Sequence, residues 1–399
     1  MQSLPITAST YTTCLGQGLA ANLQALRAGR SGLVPCAFET VRLDTWIGVV
    51  DGVEEVRVPE SLSAYDCRNN RLALLGLETD GFAQRVQSAI RRYGAERVGV
   101  FLGTSTSGIF ETEIAYRHRD PVTGELPASL NYGGSHNPFS VADFTRQVLG
   151  AAGMALTIST ACSSSAKVFA AAARQIALGT IDAAIVGGVD SLCLTTLYGF
   201  SSLQLTSRQP ARPYDVARDG ISIGEGAAFA LLERRDDTSA AAAQAWLLGT
   251  GESSDAYHMS SPHPDGLGAK LAMEAALASA GLDPQAIDYI NLHGTATPAN
   301  DAAEGKAVAA LFGDKVPCSS TKGATGHTLG AAGAIEAVIA MQSIAEGWIP
   351  GSPGTVTVDP AVAMDYRCQG QDAPVRIALS NSFGFGGSNC ALVLGGQAS

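Results

Sequence analysis

The sequence predicts an α/β protein built as two similar halves, and three observations carry that reading. Glycine is abundant at 45 residues while aromatic residues make up only 6%, a composition that lets helices and sheets approach closely. Short β-branched or apolar runs end in Gly, Ser and Thr turns and give way to alanine-rich helical patterns, the order of βα units. Three such motifs from the first part of the chain return in the same order in the second.

Residues 4–35 read as one β–α unit: the strand Pro5-Ile6-Thr7-Ala8, a turn near Gly16, and a helical stretch from Leu19 to Ala28 ending at Gly29. Residues 36–66 read as short surface strands and turns. A long helix is expected over about 68–93, then the strand 98–102 and the loop Gly103-Thr104-Ser105-Thr106-Ser107-Gly108. The proline-containing, mixed-charge segment at about 110–145 reads as an insertion for binding or subunit contacts.

Next, Leu156-Thr157-Ile158-Ser159-Thr160-Ala161-Cys162-Ser163-Ser164 passes from strand through a tight turn into a helix. Unpartnered N–H groups at such a helix start favour a thiolate, so the Cys162 pKa is expected to fall and the residue to be nucleophilic. Ala183–Gly187 is a buried strand, Gly220–Glu233 a Gly-centred strand pair, and 236–243 a linker. The halves then divide at 1–240 and 241–399.

The repeat is specific. Val98–Thr106 matches Tyr289–Thr297, each a strand running into Gly-Thr-x-Thr; the Cys162 turn matches the His327 turn; and Gly220–Glu233 matches Ser382–Leu394. If the halves pack about a pseudo-twofold axis, equivalent turns converge and Cys162 faces His327. Only six histidines exist, and two of them, His293 and His327, lie in glycine-rich, hydroxyl-rich turns. Neither has a second ligand at i+3 or i+4, which argues against zinc.

The chain has 399 residues, ample for a large core without staples, and its eight cysteines form no CxxC pair. Free thiols in a reducing cytoplasm are expected. The N-terminus lacks the basic and apolar regions of a secretory signal, and the uncharged stretch Val148–Ala166 is interrupted by Gly, Ser and Thr, so no transmembrane segment is expected. A net charge of −11 argues against nucleic acid as a partner.

Thr160-Ala-Cys-Ser-Ser164, His293-Gly-Thr-Ala-Thr297, Lys322-Gly-Ala-Thr-Gly-His327 and Asn381-Ser-Phe-Gly-Phe-Gly-Gly387, in this order, resemble the β-ketoacyl-acyl carrier protein synthases of the elongating Cys-His-His type. The resemblance covers nearly the whole chain and implies a thiolase-like α/β fold, two pseudo-duplicated halves in α-β-α-β-α layers, and a dimer. It implies that Cys162 takes an acyl group from a carrier-protein thioester. His293 and His327 would promote decarboxylation of malonyl carrier protein, with Lys322 ordering the network. Thr295 and Thr297 would bind pantetheine, and the Phe385 N–H with that of Cys162 would form the oxyanion hole. Phe385 would also gate the site on the mobile glycines 384, 386 and 387, with Asp255 and His258 on a second moving loop.

The resemblance requires no organic cofactor, and it implies a structural monovalent cation at Asn291, Glu336, Ser380 and Asn381. The acidic carrier protein would dock on Arg68 and Arg71. Two departures bear on the acyl group. Ile6-Thr7-Ala8-Ser9 replaces a glycine turn, and Thr106 and Ser107 would make the acyl pocket more polar, pointing to a functionalised chain as in polyene-pigment pathways. The dimer could be homomeric or pair with a related subunit. Two rival readings are a non-catalytic chain-length-factor-like subunit, opposed by the intact Cys162, His293 and His327, and a thiolase, opposed by Phe385 in the gate.

Overall fold

The computed structural model describes residues 1–397. Among the described residues one mixed sheet has eleven strands: the two-residue Gly16–Gln17, off its main path, and ten along that path, β1 (Leu4–Thr13), β2 (Val98–Gly103), β3 (Ala155–Ile158), β4 (Ala183–Asp190), β5 (Gly226–Glu233), β6 (Ala245–Ser254), β7 (Tyr289–Asn291), β8 (Cys318–Ser319), β9 (Ile377–Gly384) and β10 (Ser388–Gly395). Their spatial order is β8-β7-β9-β10-β6-β1-β5-β4-β2-β3. Outward from the central β1/β6 seam the order is β1-β5-β4-β2-β3 on one side and β6-β10-β9-β7-β8 on the other. Each strand therefore has its counterpart five strands later.

Orientation repeats too: β2 runs parallel to β3 and β4, β7 parallel to β8 and β9, and the strands flanking the seam are antiparallel. The seam is short, pairing Leu4 with Leu247 and Ile6 with Ala245.

Among the described residues, twelve α-helices accompany the sheet: α1 (Gly18–Arg27), α2 (Arg68–Leu77), α3 (Phe82–Tyr93), α4 (Ile109–Arg117), α5 (Ser140–Leu149), α6 (Ser164–Ala177), α7 (Leu194–Ser202), α8 (Asp237–Ala241), α9 (Leu267–Ala280), α10 (Pro298–Phe312), α11 (Lys322–Thr325) and α12 (Ala332–Glu346). The helices α6 and α12 share one core with strands of both halves, including Val168, Phe169, Val338, Ala228 and Leu392. Against the outer face of the first half, α2, α3 and α5 bury Leu72, Phe82, Val86 and Phe144. On the second half, α9 and α10 do the same with Met273, Leu277 and Val308. The result is five alternating layers.

Small residues allow this spacing. A Cβ on Gly103 at the end of β2 would lie 2.4 Å from the Ser165 backbone N in α6, and one on Gly333 would lie 2.7 Å from the Ala166 N. The stretch Leu329–Glu346 is long and apolar enough to cross a bilayer, but it is 78% buried within the fold. Its apolarity serves the central layer.

Two expectations change. The helix predicted over 68–93 is broken between α2 and α3, where Asp80 and Gly81 take left-handed φ values of 54° and 68°. The Asp80 carboxylate is turned away to accept the Thr10 hydroxyl at 2.7 Å and the Leu19 N–H at 2.9 Å. In addition, the 220–233 segment is not a strand pair of the main sheet. Ile223–Gly224 joins a small sheet with Leu33–Pro35 and Trp46–Gly48, so the counterpart of β9 is β4.

Gly103→Ala tests the close approach beneath the Cys162 turn. It is expected to cost about 1–3 kcal/mol in urea unfolding, as overpacking of a tight interior does; an unchanged midpoint would show that the turn has room to shift.

Candidate active site

Cys162 sits two residues before α6, on a turn whose Ala161 is held at φ 52°, a strained value for a residue with a Cβ. The hydroxyls of Ser163 and Ser164 hold the turn by donating to the carbonyls of Thr160 at 3.0 Å and Ala161 at 2.5 Å. The turn of the other half brings in His327. Its N–H donates to the Ser222 carbonyl at 2.7 Å, and its own carbonyl accepts the Gly224 N–H at 3.0 Å. The two turns meet: His327 Nε2 lies 3.0 Å from Cys162 Sγ.

His293 completes the group. The three donor atoms of Cys162, His293 and His327 lie within 4.8 Å of one another, and the two imidazoles stand edge to face with centroids 5.4 Å apart. Two carboxylates of α10 hold the His293 loop: Glu304 accepts the N–H groups of His293 at 2.8 Å and Gly294 at 2.7 Å, and Asp301 accepts the Thr295 N–H at 3.0 Å. Sequence reading passed over this pair. Its signal is two acids one helical turn apart, directly after the His-Gly-Thr-Ala-Thr loop.

Lys322 is fully buried; its ammonium donates to the His293 carbonyl at 2.6 Å and pairs with Glu336. This charge acts on the whole site. Burial and the nearby Lys322 cation hold both imidazoles well below the usual histidine range, so both are neutral. Burial raises the Glu336 carboxyl to about 7 against the pull of Lys322. The Cys162 pKa does not fall as expected from the helix start. Burial pushes it up to about 12, although Lys322 and the Phe385 N–H favour the thiolate. Desolvation outweighs the partial charge of a helix end, so the free site holds a neutral thiol beside a neutral imidazole.

Cys162 opens into a cavity of about 230 Å³ whose walls include Thr295, Thr297, Phe200, Phe383, Phe385 and Asp255. Thr295 and Thr297 face each other with their hydroxyls 2.9 Å apart. The Phe385 ring rests on Phe200, a residue that sequence reading had not picked out, at 5.6 Å.

Backbone bonds join the loop of Gly384–Gly387 to the loop of Asp255–Met259. The Gly386 N–H donates to the Met259 carbonyl at 2.8 Å and the Asp255 N–H to the Gly387 carbonyl at 2.9 Å. Gly386 and Gly387 have φ values of 81° and 75°. Gly384 has an ordinary φ, and the constraint there is space: a Cβ would lie 2.6 Å from the Thr160 carbonyl oxygen. His258 is exposed and does not line the cavity; its Nδ1 accepts the Ser260 N–H at 3.2 Å.

Two further expectations are corrected. Arg68 is only 4% exposed; it forms a two-pronged pair with Glu225 at 2.6 and 2.9 Å and also meets Glu54. Arg71 is paired with Asp66 at 2.6 Å and Glu54 at 3.1 Å. Arg68 is internal and Arg71 is half-buried with its charge already paired, so the two do not form a free basic patch. Likewise, the Thr106 hydroxyl donates to Asp190 at 3.0 Å and the Ser107 hydroxyl to the Ser135 carbonyl at 2.9 Å. Neither hydroxyl is left to make a pocket wall polar.

Two family models match the chain: "Beta-ketoacyl synthase, N-terminal domain" over residues 76–238 and "Beta-ketoacyl synthase, C-terminal domain" over residues 244–355. The chain is 32% identical to 3-oxoacyl-[acyl-carrier-protein] synthase 2 of Vibrio cholerae, with 95% of each chain covered. It is likewise 32% identical to that of Coxiella burnetii, with 98% of this chain and 97% of the other covered. Among solved structures it is similar to the ketosynthase ApeO in complex with its chain length factor ApeC from Xenorhabdus doucetiae, at 37% identity and a TM-score of 0.88 with 99% and 98% covered. It also resembles a β-ketoacyl synthase from Burkholderia phymatum, at 31% identity and a TM-score of 0.88 with 99% of each covered.

Lys322→Met leaves Glu336 buried without its cation and is expected to cost about 3–5 kcal/mol, most of it recovered by adding Glu336→Gln. Burial raises the folded-state pKa of Glu336 above its unfolded value, so the folded single variant gains stability as it takes up a proton. Its deficit in denaturant melts should therefore narrow as pH falls from neutral to about 5. A single variant as stable as wild type, or a deficit that widens in acid, would contradict this.

Proposed function

The chain belongs to the β-ketoacyl synthase family, and from that premise we propose how it works as a 3-oxoacyl-acyl carrier protein synthase. The observation that carries the reading is the 3.0 Å contact between Cys162 Sγ and His327 Nε2, with His293 beside it in a buried pocket. A non-catalytic subunit has no use for this arrangement.

In the first half-reaction an acyl thioester carried on phosphopantetheine enters past Thr295 and Thr297. Cys162 Sγ attacks its carbonyl carbon while His327 Nε2 takes the thiol proton. The oxyanion is held by the N–H groups of Phe385 and Cys162. The carrier thiol leaves with the proton from His327, and Cys162 keeps the acyl group. Transferring the proton as the new bond forms avoids a free thiolate, which the buried site disfavours.

In the second half-reaction malonyl carrier protein loses carbon dioxide. Once the carrier thiol has left and His327 has shifted to its Nε2–H tautomer, the enolate oxygen that becomes negative rests against the N–H groups of the two imidazoles, which are neutral and therefore donate without a buried positive charge. The carbanion attacks the acyl carbonyl, the Cys162 sulfur leaves, and one proton from solvent restores the thiol. The product is a carrier-bound 3-oxoacyl chain, longer by two carbons.

Three of the four residues matched to a monovalent cation site offer it side-chain oxygens. Asn291 and Ser380 are register partners on β7 and β9. Asn291 Oδ1, Ser380 Oγ and Glu336 Oε2 are buried without hydrogen-bond partners, oxygens suited to a hard cation, whereas the Asn381 side chain, next along β9, faces the other side of the sheet and bonds Glu304 at 3.1 Å. The ion would bridge β7 and β9 and takes no part in bond making.

The partner is a second ketosynthase-like subunit. Strand β3 is one edge of the sheet, paired only with β2, and its four half-buried residues offer an open ladder. The similarity to a ketosynthase solved with its chain length factor makes a related, non-identical subunit one form of that partner.

Reconstitution with acyl and malonyl carrier proteins should release carbon dioxide and a 3-oxoacyl product. His293→Ala should lower decarboxylation by about 100-fold or more while Cys162 still acquires an acyl group. Carbon dioxide release unaffected by His293→Ala would overturn the roles given. The cation reading predicts a melting temperature several degrees higher in potassium chloride than in choline chloride at equal ionic strength; equal midpoints would reject it. Sedimentation should give a dimer, of this chain alone or with the related subunit, and a monomer in both cases would reject the β3 interface.

A further inference from the structure

Asp190, the last residue of β4, is fully buried and lies outside the constellation described above, yet its carboxylate ties that constellation together. Oδ1 accepts the Thr104 hydroxyl at 2.6 Å, the Ser105 N–H at 2.7 Å, and the Thr106 N–H and hydroxyl at 3.0 Å. Oδ2 accepts the Ser105 hydroxyl and, from the other half of the molecule, the Gly330 N–H at 2.6 Å. All six donors are uncharged, three backbone N–H groups and three hydroxyls. A carboxylate so saturated is a rigid hub.

Gly330 is three residues beyond His327, and the intervening Leu329 is held in the left-handed region at φ 49°. A Cβ on Gly330 would lie 2.8 Å from both Asp190 Oδ2 and the Ser105 N, so this turn is pressed directly onto the hub. A non-glycine residue keeps a left-handed φ only when its surroundings impose it. The Asp190–Gly330 bond supplies that restraint, and the His327 ring sits on the restrained segment.

We propose that Asp190 is a positioning residue for the condensation reaction: by gripping the Gly330 N–H against the Thr104–Thr106 loop, it holds His327 within reach of Cys162. The proposal rests on the catalytic reading above. The alternative, a purely electrostatic effect, has the opposite sign. The Asp190 charge raises the Cys162 pKa, so removing that charge alone would make the thiol more reactive.

Asp190→Asn keeps the shape but turns an amide donor toward donors. With the dimer and melting temperature intact, its kcat for malonyl carrier protein decarboxylation should fall by about 30-fold with KM changed by less than about twofold, the pattern of a misplaced catalytic group. In a His327→Ala background the same change should alter kcat by less than about twofold, because the two act as a unit. Should Asp190→Asn not fold, Ser105→Ala removes one hydroxyl from the oxygen that holds Gly330. It should show the same non-additivity with a loss of about threefold.

Alkylation of Cys162 by iodoacetamide at one fixed pH requires no acyl substrate and therefore separates the two ideas. If wild type fails to decarboxylate malonyl carrier protein, the catalytic reading fails, and slower alkylation in Asp190→Asn that vanishes in the His327→Ala background still supports the coupling. Additive losses, faster alkylation, or wild-type kcat in a folded Asp190→Asn would overturn it.

Discussion

The 3.0 Å contact between Cys162 Sγ and His327 Nε2 is the constraint on which the site depends. The two residues are 165 positions apart in the chain, and each turn supplies one partner of the contact. They meet because the sheet repeats its strand order on either side of the β1/β6 seam, placing equivalent strand-to-helix turns opposite each other. The glycine and alanine content follows from this demand, since α6 and α12 reach one another only where side chains are minimal. The strain at Ala161 and Leu329 is local and is held by hydrogen bonds to each turn.

Electrostatics in the pocket follow from burial. A histidine pair at the surface would titrate near neutrality, whereas here desolvation and Lys322 keep both rings neutral. The same desolvation pushes the Cys162 thiol up to about 12 and so favours its protonated form. The buried pair Lys322 with Glu336 lies beside the His293 loop, where the Lys322 ammonium anchors the loop carbonyl.

Much of this was legible in the chain because the reactive residues sit within their own punctuation. Cys162, His293 and His327 each lie in a Gly, Ser or Thr turn at the end of an apolar run, and the repeat itself paired β2 with β7 and the Cys162 turn with the His327 turn. What could not be read depends on residues distant in sequence. Arg68 looked like a surface cation because Glu225, 157 positions away, gives no local sign that it will bury the guanidinium. Thr106 and Ser107 looked like pocket walls for the same reason, since Asp190 and the Ser135 carbonyl take their hydroxyls. The lowered thiol pKa was misjudged because a helix start is visible in sequence while the depth of its burial is not. Asp301 and Glu304 were overlooked because acids on a helix ordinarily face water.

The central claim is that Cys162 is a nucleophile activated by the opposing half. The most direct test is the intact mass of the protein after incubation with a panel of acyl carrier protein thioesters, compared with Cys162→Ala and His327→Ala. The account predicts one acyl adduct on wild type, none on Cys162→Ala, and slowed adduct formation on His327→Ala. An adduct that persists on Cys162→Ala, or one that forms on His327→Ala as fast as on wild type, would contradict it.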